Sequence, residues 1–363
     1  MSAVTRIDQV IPTLASRDAI GGHVMQLRDL LRGRGYASDI FYGNASPDRF
    51  DDGFPITRIG DPSSAGRVLL YQLSIGSGAA DIFRDRPERK FVNYHNITPA
   101  DLVEAWIPAV GEEVRWGRAQ LRDLAKVTEF AIADSVYNEM ELRDAGYPST
   151  TTVPLLIDPE DFTGSPDPAL AARLARDRAG GGADLLFVGK VSPHKGQHDL
   201  VKALAAYRRL YDPKARLHIV GSAISEEYQR AVERFIDELG LTDAVDWAGS
   251  ITHEELIAYY DGCDVFLCLS NHEGFCVPLL ESMYHRLPIV GWQCTAVPET
   301  VAQAGLILPD KEPARVAAAL HRVVEDARLR RELAAAAADR VDWFALARVK
   351  EGFLSALEAA CAA

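Results

Sequence analysis

The sequence lacks any uninterrupted apolar run of the about 18 residues that a membrane-spanning helix needs, and residues 1–8 contain no basic segment that leads into an apolar one. Membrane spanning and secretion are therefore both disfavoured. Cysteine is scarce and odd in number, with five residues that mostly lie in apolar runs and show no C-x-x-C spacing. This pattern disfavours a disulfide framework or a metal centre and indicates reduced thiols in a cytoplasmic protein.

Basic residues are also few, since 39 lysines and arginines stand against 52 acidic residues and give a net charge of −13. Such a balance argues against broad contact with nucleic acid, so a local basic pocket must meet any anionic ligand. One helix-like stretch does hold basic residues, with two tryptophans nearby: Arg115, Arg118, Arg122, Lys126, Trp106 and Trp116. Peripheral docking on an anionic membrane is one interpretation of this stretch, but a solvated helix face is favoured.

The chain does have enough apolar residues for packed cores. Its 363 residues, of which 48% are hydrophobic, suggest about two domains. Short apolar runs alternate with amphipathic segments, which predicts an α/β fold with helices on both faces of parallel sheets. Strands are predicted at residues 6–11, 38–42, 68–72, 90–94, 130–133 and 152–156 in the first half, and at 185–188, 217–220, 245–247, 265–269, 287–290 and 306–308 in the second.

A change in composition over residues 163–184, which are rich in proline, alanine and glycine, predicts the domain boundary. We expect two doubly wound, Rossmann-like domains over 1–165 and 166–345, facing a central cleft where ligands of such sheets bind. The remaining segment is helical. We expect it to pack outside the second domain, with a C-terminal helix over 346–363 that could return towards the first.

The first strand-to-helix connection ends in Gly21 and Gly22, immediately before a helix predicted over residues 23–32. Glycines at such a place let backbone N–H groups approach a phosphate, and the helix start adds positive potential. A plain helix-start turn explains the pair equally well. No G-x-G-x-x-G follows the strand, so a nicotinamide or flavin site is disfavoured.

The second domain opens with a strand that leads directly into a loop containing Lys190 and Lys195. At the carboxyl end of the strand, both ammonium groups would point into the cleft and could neutralise a diphosphate. Each contact at about 4 Å is worth on the order of 4 kcal/mol before desolvation, at an effective dielectric constant of about 20. The alternative is two solvated surface lysines.

Residues 263–281 form the most informative stretch, an apolar strand followed by a polar loop and a helix that begins near Pro278. Glu273 lies in the loop and Glu281 about one turn inside the helix. Two carboxylates therefore flank a helix N-terminus whose free N–H groups could hold phosphate oxygens. The alternative is a helix start with acids that stabilise its first turns.

These residues resemble the retaining GT-B glycosyltransferases of family four. The resemblance rests on the run Glu273-Gly274-Phe275-Cys276 followed by Glu281, on the 189–196 loop and on the double glycine. The first half also matches, because residues 92–99 (VNYHNITP) look like the family's histidine loop and residues 133–138 (ADSVYN) like its serine segment. The resemblance therefore covers nearly the whole chain.

The resemblance implies a GT-B fold and the transfer of a sugar, with retention of its anomeric configuration, from a nucleotide-diphosphate donor to an acceptor hydroxyl. Neither a metal nor a cofactor is implied, and UDP- or GDP-sugars are the expected donors. Variable loops of the first domain, at 13–20 and 43–54, would build the acceptor pocket. A sugar-nucleotide epimerase or phosphorylase on the same architecture, and a non-catalytic nucleotide-sugar-binding subunit, are the alternatives.

The resemblance also implies individual roles. Gly22, beside Gly21, would lie against the donor phosphates, and His95 would sit beneath the transferred sugar, although a lone histidine after an apolar strand is often a core residue. Lys190 and Lys195 would bind the diphosphate. Contacts to the rest of the donor would come from Glu273 (sugar hydroxyls), the amides of Gly274, Phe275, Cys276 and Val277 (phosphates), Glu281 (ribose), and Ser250 and Ile251 (base). His95, Lys195 and Glu273 form the implied catalytic set.

The sequence departs from the family pattern at two positions. Relatives more often have arginine where this chain has Lys190, and lysine keeps the charge but loses the bidentate geometry. The motif Glu273-Gly274-Phe275-Cys276, here called the carboxyl motif, often ends in glycine in the family but ends in Cys276 here. Neither change removes an essential group, so the same function is expected.

Overall fold

The computed structural model describes residues 3–16, 19–63 and 65–363. Met1 and Ser2, as well as Arg17 and Asp18 in the predicted acceptor loop, lie outside this description. The chain divides into two compact units. The first comprises the residues up to Glu104, Pro108–Asp158 and Phe344–Ala363, and the second comprises Ala105–Ile107 and Pro159–Trp343.

The described part of the first unit contains a seven-stranded parallel sheet in the order β3-β2-β1-β4-β5-β6-β7. Its strands are β1 (Arg6–Leu14), β2 (Ile40–Ala45), β3 (Gly53–Pro55), β4 (Arg67–Leu73), β5 (Arg89–Tyr94), β6 (Phe130–Ala133) and β7 (Thr150–Thr152). The central strands are rich in apolar residues and almost completely buried, as expected for a parallel sheet covered on both faces.

Five helices of the described chain cover this sheet: α1 (Ala19–Gly33), α2 (Gly78–Asp85), α3 (Pro108–Ala125), α4 (Val136–Asp144) and α13 (Leu346–Ala362). α13 packs Val349, Phe353 and Leu357 into the core of this unit. The expected packing outside the second domain therefore does not hold for this last helix, because its apolar stripe is buried against the first sheet.

The predicted strand at residues 152–156 is wrong in position, because the structure places β7 at Thr150–Thr152. Pro154 has no N–H group to donate to a ladder, and the Leu156 amide donates instead to Nδ1 of His23 (3.0 Å). Leu156 and Val153 are buried in the core. Their apolar character thus reflects side-chain packing rather than strand pairing. The short edge strand β3, which ends in a proline, was not predicted.

The described second unit contains a six-stranded parallel sheet in the order β10-β9-β8-β11-β12-β13. Each strand corresponds to a predicted one: β8 (Asp184–Val188), β9 (Arg216–Val220), β10 (Val245–Gly249), β11 (Val265–Cys268), β12 (Ile289–Trp292) and β13 (Gly305–Leu308). Its helices are α5 (Pro168–Ala179), α6 (Gln197–Leu210), α7 (Glu226–Glu238), α8 (His253–Gly262), α9 (Val277–Tyr284), α10 (Val297–Val301), α11 (Pro313–Glu325) and α12 (Ala327–Trp343).

The boundary between the two units lies between residues 158 and 159, a few residues before the boundary at 165 that composition suggested. The reason is that Phe162 packs edge-on against Tyr284 (5.7 Å between ring centroids), and His253 Nε2 lies 2.9 Å from the Thr163 carbonyl oxygen. Residues 159–165 therefore belong to the second unit. Among the described helices, none has the length and apolarity to cross a membrane.

Candidate functional site

Lys195 is held in a fixed turn at the carboxyl end of β8. A short 3-10 turn spans Pro193–Lys195, and Gly196 then takes a left-handed conformation (φ 70°) where α6 begins. A Cβ atom at Gly196 would lie 2.6 Å from the Leu269 carbonyl oxygen, so only glycine fits between this turn and the end of β11. The turn therefore carries Lys195 towards the loop that follows β11.

That loop supplies the partner of Lys195. The Lys195 ammonium donates to both carboxylate oxygens of Glu273, at 2.8 and 2.7 Å, and the side chains are only 21% and 6% exposed. Burial lowers the pKa of Lys195, but the charge and hydrogen bond of Glu273, together with the nearby cysteines, outweigh burial and raise the pKa above its ordinary value. Lys195 is therefore a cation, and its charge is largely shielded from water.

The backbone of Glu273 is fixed by Thr295. The Glu273 N–H donates to Thr295 Oγ1 (2.9 Å), and this hydroxyl donates back to the Glu273 carbonyl oxygen (2.8 Å). Sequence reasoning missed Thr295 because it lies 22 positions further along the chain, outside any local motif.

The carboxyl motif ends in a strained residue. Cys276 precedes α9 with φ 69° and ψ 74°, a left-handed conformation that a non-glycine residue rarely adopts. No side chain of the described residues caps this helix start, and Pro278 occupies its first turn. The loop from Gly274 to Val277 therefore leads into a helix N-terminus that offers partial positive charge.

Glu281 lies one turn inside α9 and is held by an aromatic stack. The Tyr260 hydroxyl donates to Glu281 Oε2 (2.6 Å), and the Tyr260 ring stacks on His285 (5.1 Å, 7°). Burial raises the pKa of Glu281 and outweighs the opposing effect of the Tyr260 hydrogen bond. The other carboxylate oxygen has capacity for a second hydrogen-bond donor.

Three further predicted residues of the second unit follow two other strands of the same sheet. Lys190 is exposed and comes two residues after β8, whereas Ser250 and Ile251 come directly after β10. Because parallel strands end at one edge, these loops and the loop after β11 share that edge. The structure brings Lys195, Glu273 and Cys276 together, and it gives no direct contact from this group to Lys190, Ser250, Ile251 or Glu281.

Lys311 is a second cation beside this loop that sequence reasoning missed. Its ammonium lies 2.6 Å from Asn271 Oδ1 and 4.9 Å from the centre of the Trp292 ring, and it pairs with Asp199. Lys311 is 40 residues from the loop in sequence and belongs to no recognisable motif. Within residues 263–281, only the polar side chain of Asn271 indicated that a residue such as Lys311 would bind there.

In the first unit, His95 follows β5 and both of its ring nitrogens are engaged. Nδ1 lies 2.7 Å from Asp134 Oδ2 and Nε2 lies 2.7 Å from Gln72 Oε1, with the imidazole only 1% exposed. Gln72 donates to Gln9 (2.8 Å), which donates to the Val24 carbonyl oxygen (2.9 Å). A carbonyl can only accept, so this chain of bonds makes His95 Nε2 the donor to Gln72.

The implied role of His95 beneath a sugar stays a prediction, and the geometry limits it. Burial raises the pKa of Asp134 despite the opposing effect of His95, and the Asp134 carboxyl group occupies Nδ1 of the imidazole. An imidazole held on both sides cannot abstract a proton from a ligand without first breaking one of these bonds. Any contact to a sugar would come from the ring edge or the backbone.

The two glycines near the first strand differ in what surrounds them. The prediction that they precede the helix is wrong, because both lie inside the first turn of α1. A Cβ at Gly21 would lie 1.9 Å from the Ala15 carbonyl oxygen, whereas one at Gly22 would meet nothing within 4 Å. Gly21 is therefore required for packing, and the space beside Gly22 is open.

Comparison with known proteins gives three findings. The family described as "Glycosyl transferases group 1" matches residues 175–340. A D-inositol 3-phosphate glycosyltransferase of Stackebrandtia nassauensis is 30% identical over 274 residues, covering 74% of this chain and 60% of that protein. A GDP-mannose-dependent alpha-(1-6)-phosphatidylinositol monomannoside mannosyltransferase of Mycobacterium tuberculosis is 29% identical over 233 residues, covering 60% and 59%. The chain thus spans about three fifths of these relatives' length.

Among solved structures, Anabaena Alr3699/HepE in complex with UDP and glucose superposes with a TM-score of 0.73 at 16% identity, over 97% of this chain and 99% of that one. At such identity the likeness concerns the fold. The described sheets, each parallel and covered by helices, agree with it. The chain therefore has the GT-B fold, and its residues 175–340 match the family of glycosyl transferases group 1.

Proposed function

We propose that this protein is a glycosyltransferase that moves a sugar from a nucleoside-diphosphate donor to an acceptor hydroxyl, with retention of the anomeric configuration and without a metal ion. The observation that carries the proposal is the buried Lys195–Glu273 pair beside the uncapped start of α9. This arrangement combines a fixed cation, a fixed carboxylate and the positive end of a helix dipole, which suits a ligand with both phosphate and hydroxyl groups.

The chemistry requires that a departing diphosphate be stabilised. Lys195, Lys190 and the N-terminus of α9 would supply positive potential to it in a site that needs no reorganisation during the reaction. Glu273 would accept hydrogen bonds from the hydroxyls of the sugar and would also keep Lys195 oriented. The bond between the anomeric carbon and the phosphate oxygen breaks, and the acceptor oxygen bonds to that carbon on the same face. An oxygen of the departing diphosphate takes the proton of the attacking hydroxyl.

The nucleoside would be bound by groups on the same sheet edge. Glu281, fixed by Tyr260 through one oxygen, would accept hydrogen bonds from ribose hydroxyls through the other. Ser250 and Ile251, in the loop after β10, would lie beside the base. Relatives named for GDP-mannose and a structural neighbour in complex with UDP support GDP- and UDP-sugars as the donors to test first.

The experiment is product analysis with purified protein. We expect glycosylated product from a UDP- or GDP-sugar in the presence of a chelator, with myo-inositol, its phosphates and simple saccharides as acceptors, and an unchanged anomeric configuration by NMR. Lys195→Met and Glu273→Gln should abolish transfer. The matched control is Lys126→Met, which removes an exposed lysine that pairs with Asp123 on α3.

Other outcomes would contradict the proposal. An isomerised nucleotide sugar in the absence of acceptor would identify an epimerase. Tight nucleotide binding without turnover on a broad acceptor panel would favour a binding subunit. Full transfer by Lys195→Met would refute the assigned role of this residue.

A further inference from the structure

We propose that Cys268, Cys276 and Glu273 form a binding site for a thiophilic divalent cation such as Zn²⁺. Cys268 is the last residue of β11, and Cys276 is the residue before α9. The two sulfur atoms and a carboxylate oxygen of Glu273 all lie within 4.8 Å of one another. Among the described residues, this is the one such cluster of cysteine, histidine and acidic side chains.

The distances are close to those of a bound ion. Zinc binds thiolates at about 2.3 Å and carboxylate oxygens at about 2.0–2.2 Å, which places tetrahedral ligands roughly 3.5–3.8 Å apart. The three atoms therefore need to approach one another by only about 1 Å. Cys268 lies in the sheet, whereas Cys276 lies in the loop that leads into α9.

The local charges also fit a divalent cation. Binding releases the two thiol protons to solvent and forms two zinc–sulfur bonds, so two thiolates and the Glu273 carboxylate together contribute three negative charges. Lys195, which donates to both oxygens of Glu273, contributes one positive charge. The divalent ion makes the sum zero. A carboxylate has further lone pairs, so Glu273 can bind the ion while it keeps Lys195.

The site has a route of access. Cys268 is fully buried, but Cys276 is half-buried and the Lys195 side chain is 21% exposed. An ion can therefore reach the trio from the side of Cys276. Two protein thiolates and one carboxylate leave a fourth position open, which is the arrangement of an exchangeable rather than a closed structural site.

Binding of the metal ion at this site would affect catalysis, and this part of the inference rests on the proposed function. A metal-bound Glu273 is withdrawn from the sugar hydroxyls, so the ion should inhibit transfer. The binding itself does not depend on the reaction. Failure of binding and failure of the proposed function are therefore distinguishable.

The test is calorimetric titration of the reduced protein with Zn²⁺, with Cd²⁺ used in parallel for its thiolate absorption band. We expect one ion per chain with the absorption of a two-thiolate site. Cys268→Ser and Cys276→Gly should each weaken binding at least about tenfold. Cys263→Ser is the matched control, because Cys263 is a buried cysteine just before the other end of β11 and its loss should leave binding unchanged.

Activity with and without Zn²⁺ is then compared within each variant. We expect inhibition of the wild type that a chelator reverses, and at least tenfold less sensitive transfer in Cys268→Ser. The absence of stoichiometric binding by the wild type, or undiminished binding by both cluster variants, would overturn the inference.

Discussion

The ammonium of Lys195 lies 2.8 and 2.7 Å from the two carboxylate oxygens of Glu273, although 78 positions separate the residues in the chain. Each charge is largely removed from water and depends on the other for compensation. This relationship gives the site a fixed geometry before any ligand arrives. The contribution of the pair to stability and its role in ligand binding can be measured in separate experiments.

Breaking the pair from one side should destabilise the protein. Lys195→Met leaves the Glu273 carboxylate, only 6% exposed, without its cation, and we expect the free energy of unfolding to fall by about 3 kcal/mol. The double variant Lys195→Met/Glu273→Gln should recover most of this loss because no lone charge remains. Urea denaturation of the single and double variants measures the coupling, and additive losses would contradict it.

At position 276 a glycine variant should be more stable than an alanine variant, the reverse of the usual order. Both Cys276→Gly and Cys276→Ala remove the thiol, but only glycine relieves the left-handed conformation at φ 69°. We expect the glycine variant to be the more stable by about 1 kcal/mol. The comparison is made by chemical denaturation. Greater stability of the alanine variant would show that the strain is not significant.

The two glycines of α1 should respond differently to alanine. Gly21→Ala should lower the free energy of unfolding by about 1–3 kcal/mol, because the new Cβ meets the Ala15 carbonyl oxygen. Gly22→Ala meets nothing and should be neutral or stabilising by up to about 1 kcal/mol. If Gly22 lies against the donor phosphates, Gly22→Ala should weaken donor binding without any loss of stability. Equal thermal shifts for the two variants would contradict the packing argument.

His218 should make stability depend on pH. Burial would lower its pKa, but the hydrogen bonds and charges of Asp184 and Asp246 outweigh burial and raise it. The protonated imidazole is therefore favoured in the folded state. This contribution is fully present below the unfolded pKa of about 6.5 and is lost as the pH rises through the higher folded value.

The measurement compares the wild type with His218→Gln. The difference in free energy of unfolding should be greater at about pH 5.5 than at about pH 8.5. The surrounding charges are the same in both proteins: Asp184, Asp246, Arg216 and Arg173. A difference that does not change with pH would show that His218 does not titrate as proposed.

The parallel strands of the second unit could be predicted because each is a short, mainly apolar run between turns. The edge strands of the first unit, β3 and β7, were harder to predict. Pro154 and the use of the Leu156 amide by His23 decide where β7 ends, and both effects depend on tertiary packing. Likewise, the start of α1 at Ala19 includes two glycines, which local propensity places outside a helix.

In the candidate site, too, local features could be predicted from the sequence, whereas tertiary contacts could not. Glu273, Cys276 and Glu281 lie within nine consecutive positions, so their spacing alone indicated a loop and a helix start. The partners that fix the loop, Thr295 and Lys311, come from later elements and could be found only once the sheet order was known. The hydrogen-bond chain through His95 likewise joins separate strands.

The central claim is that Lys195, held by Glu273, binds the diphosphate of a nucleotide donor. Calorimetric titration of UDP and of GDP into the wild type, Lys195→Met and Lys126→Met tests it most directly. We predict that at least one nucleotide binds the wild type and Lys126→Met equally and binds Lys195→Met at least about tenfold more weakly, a loss of about 1.4 kcal/mol. Binding of neither nucleotide to the wild type, or equal binding to all three proteins, would contradict the claim.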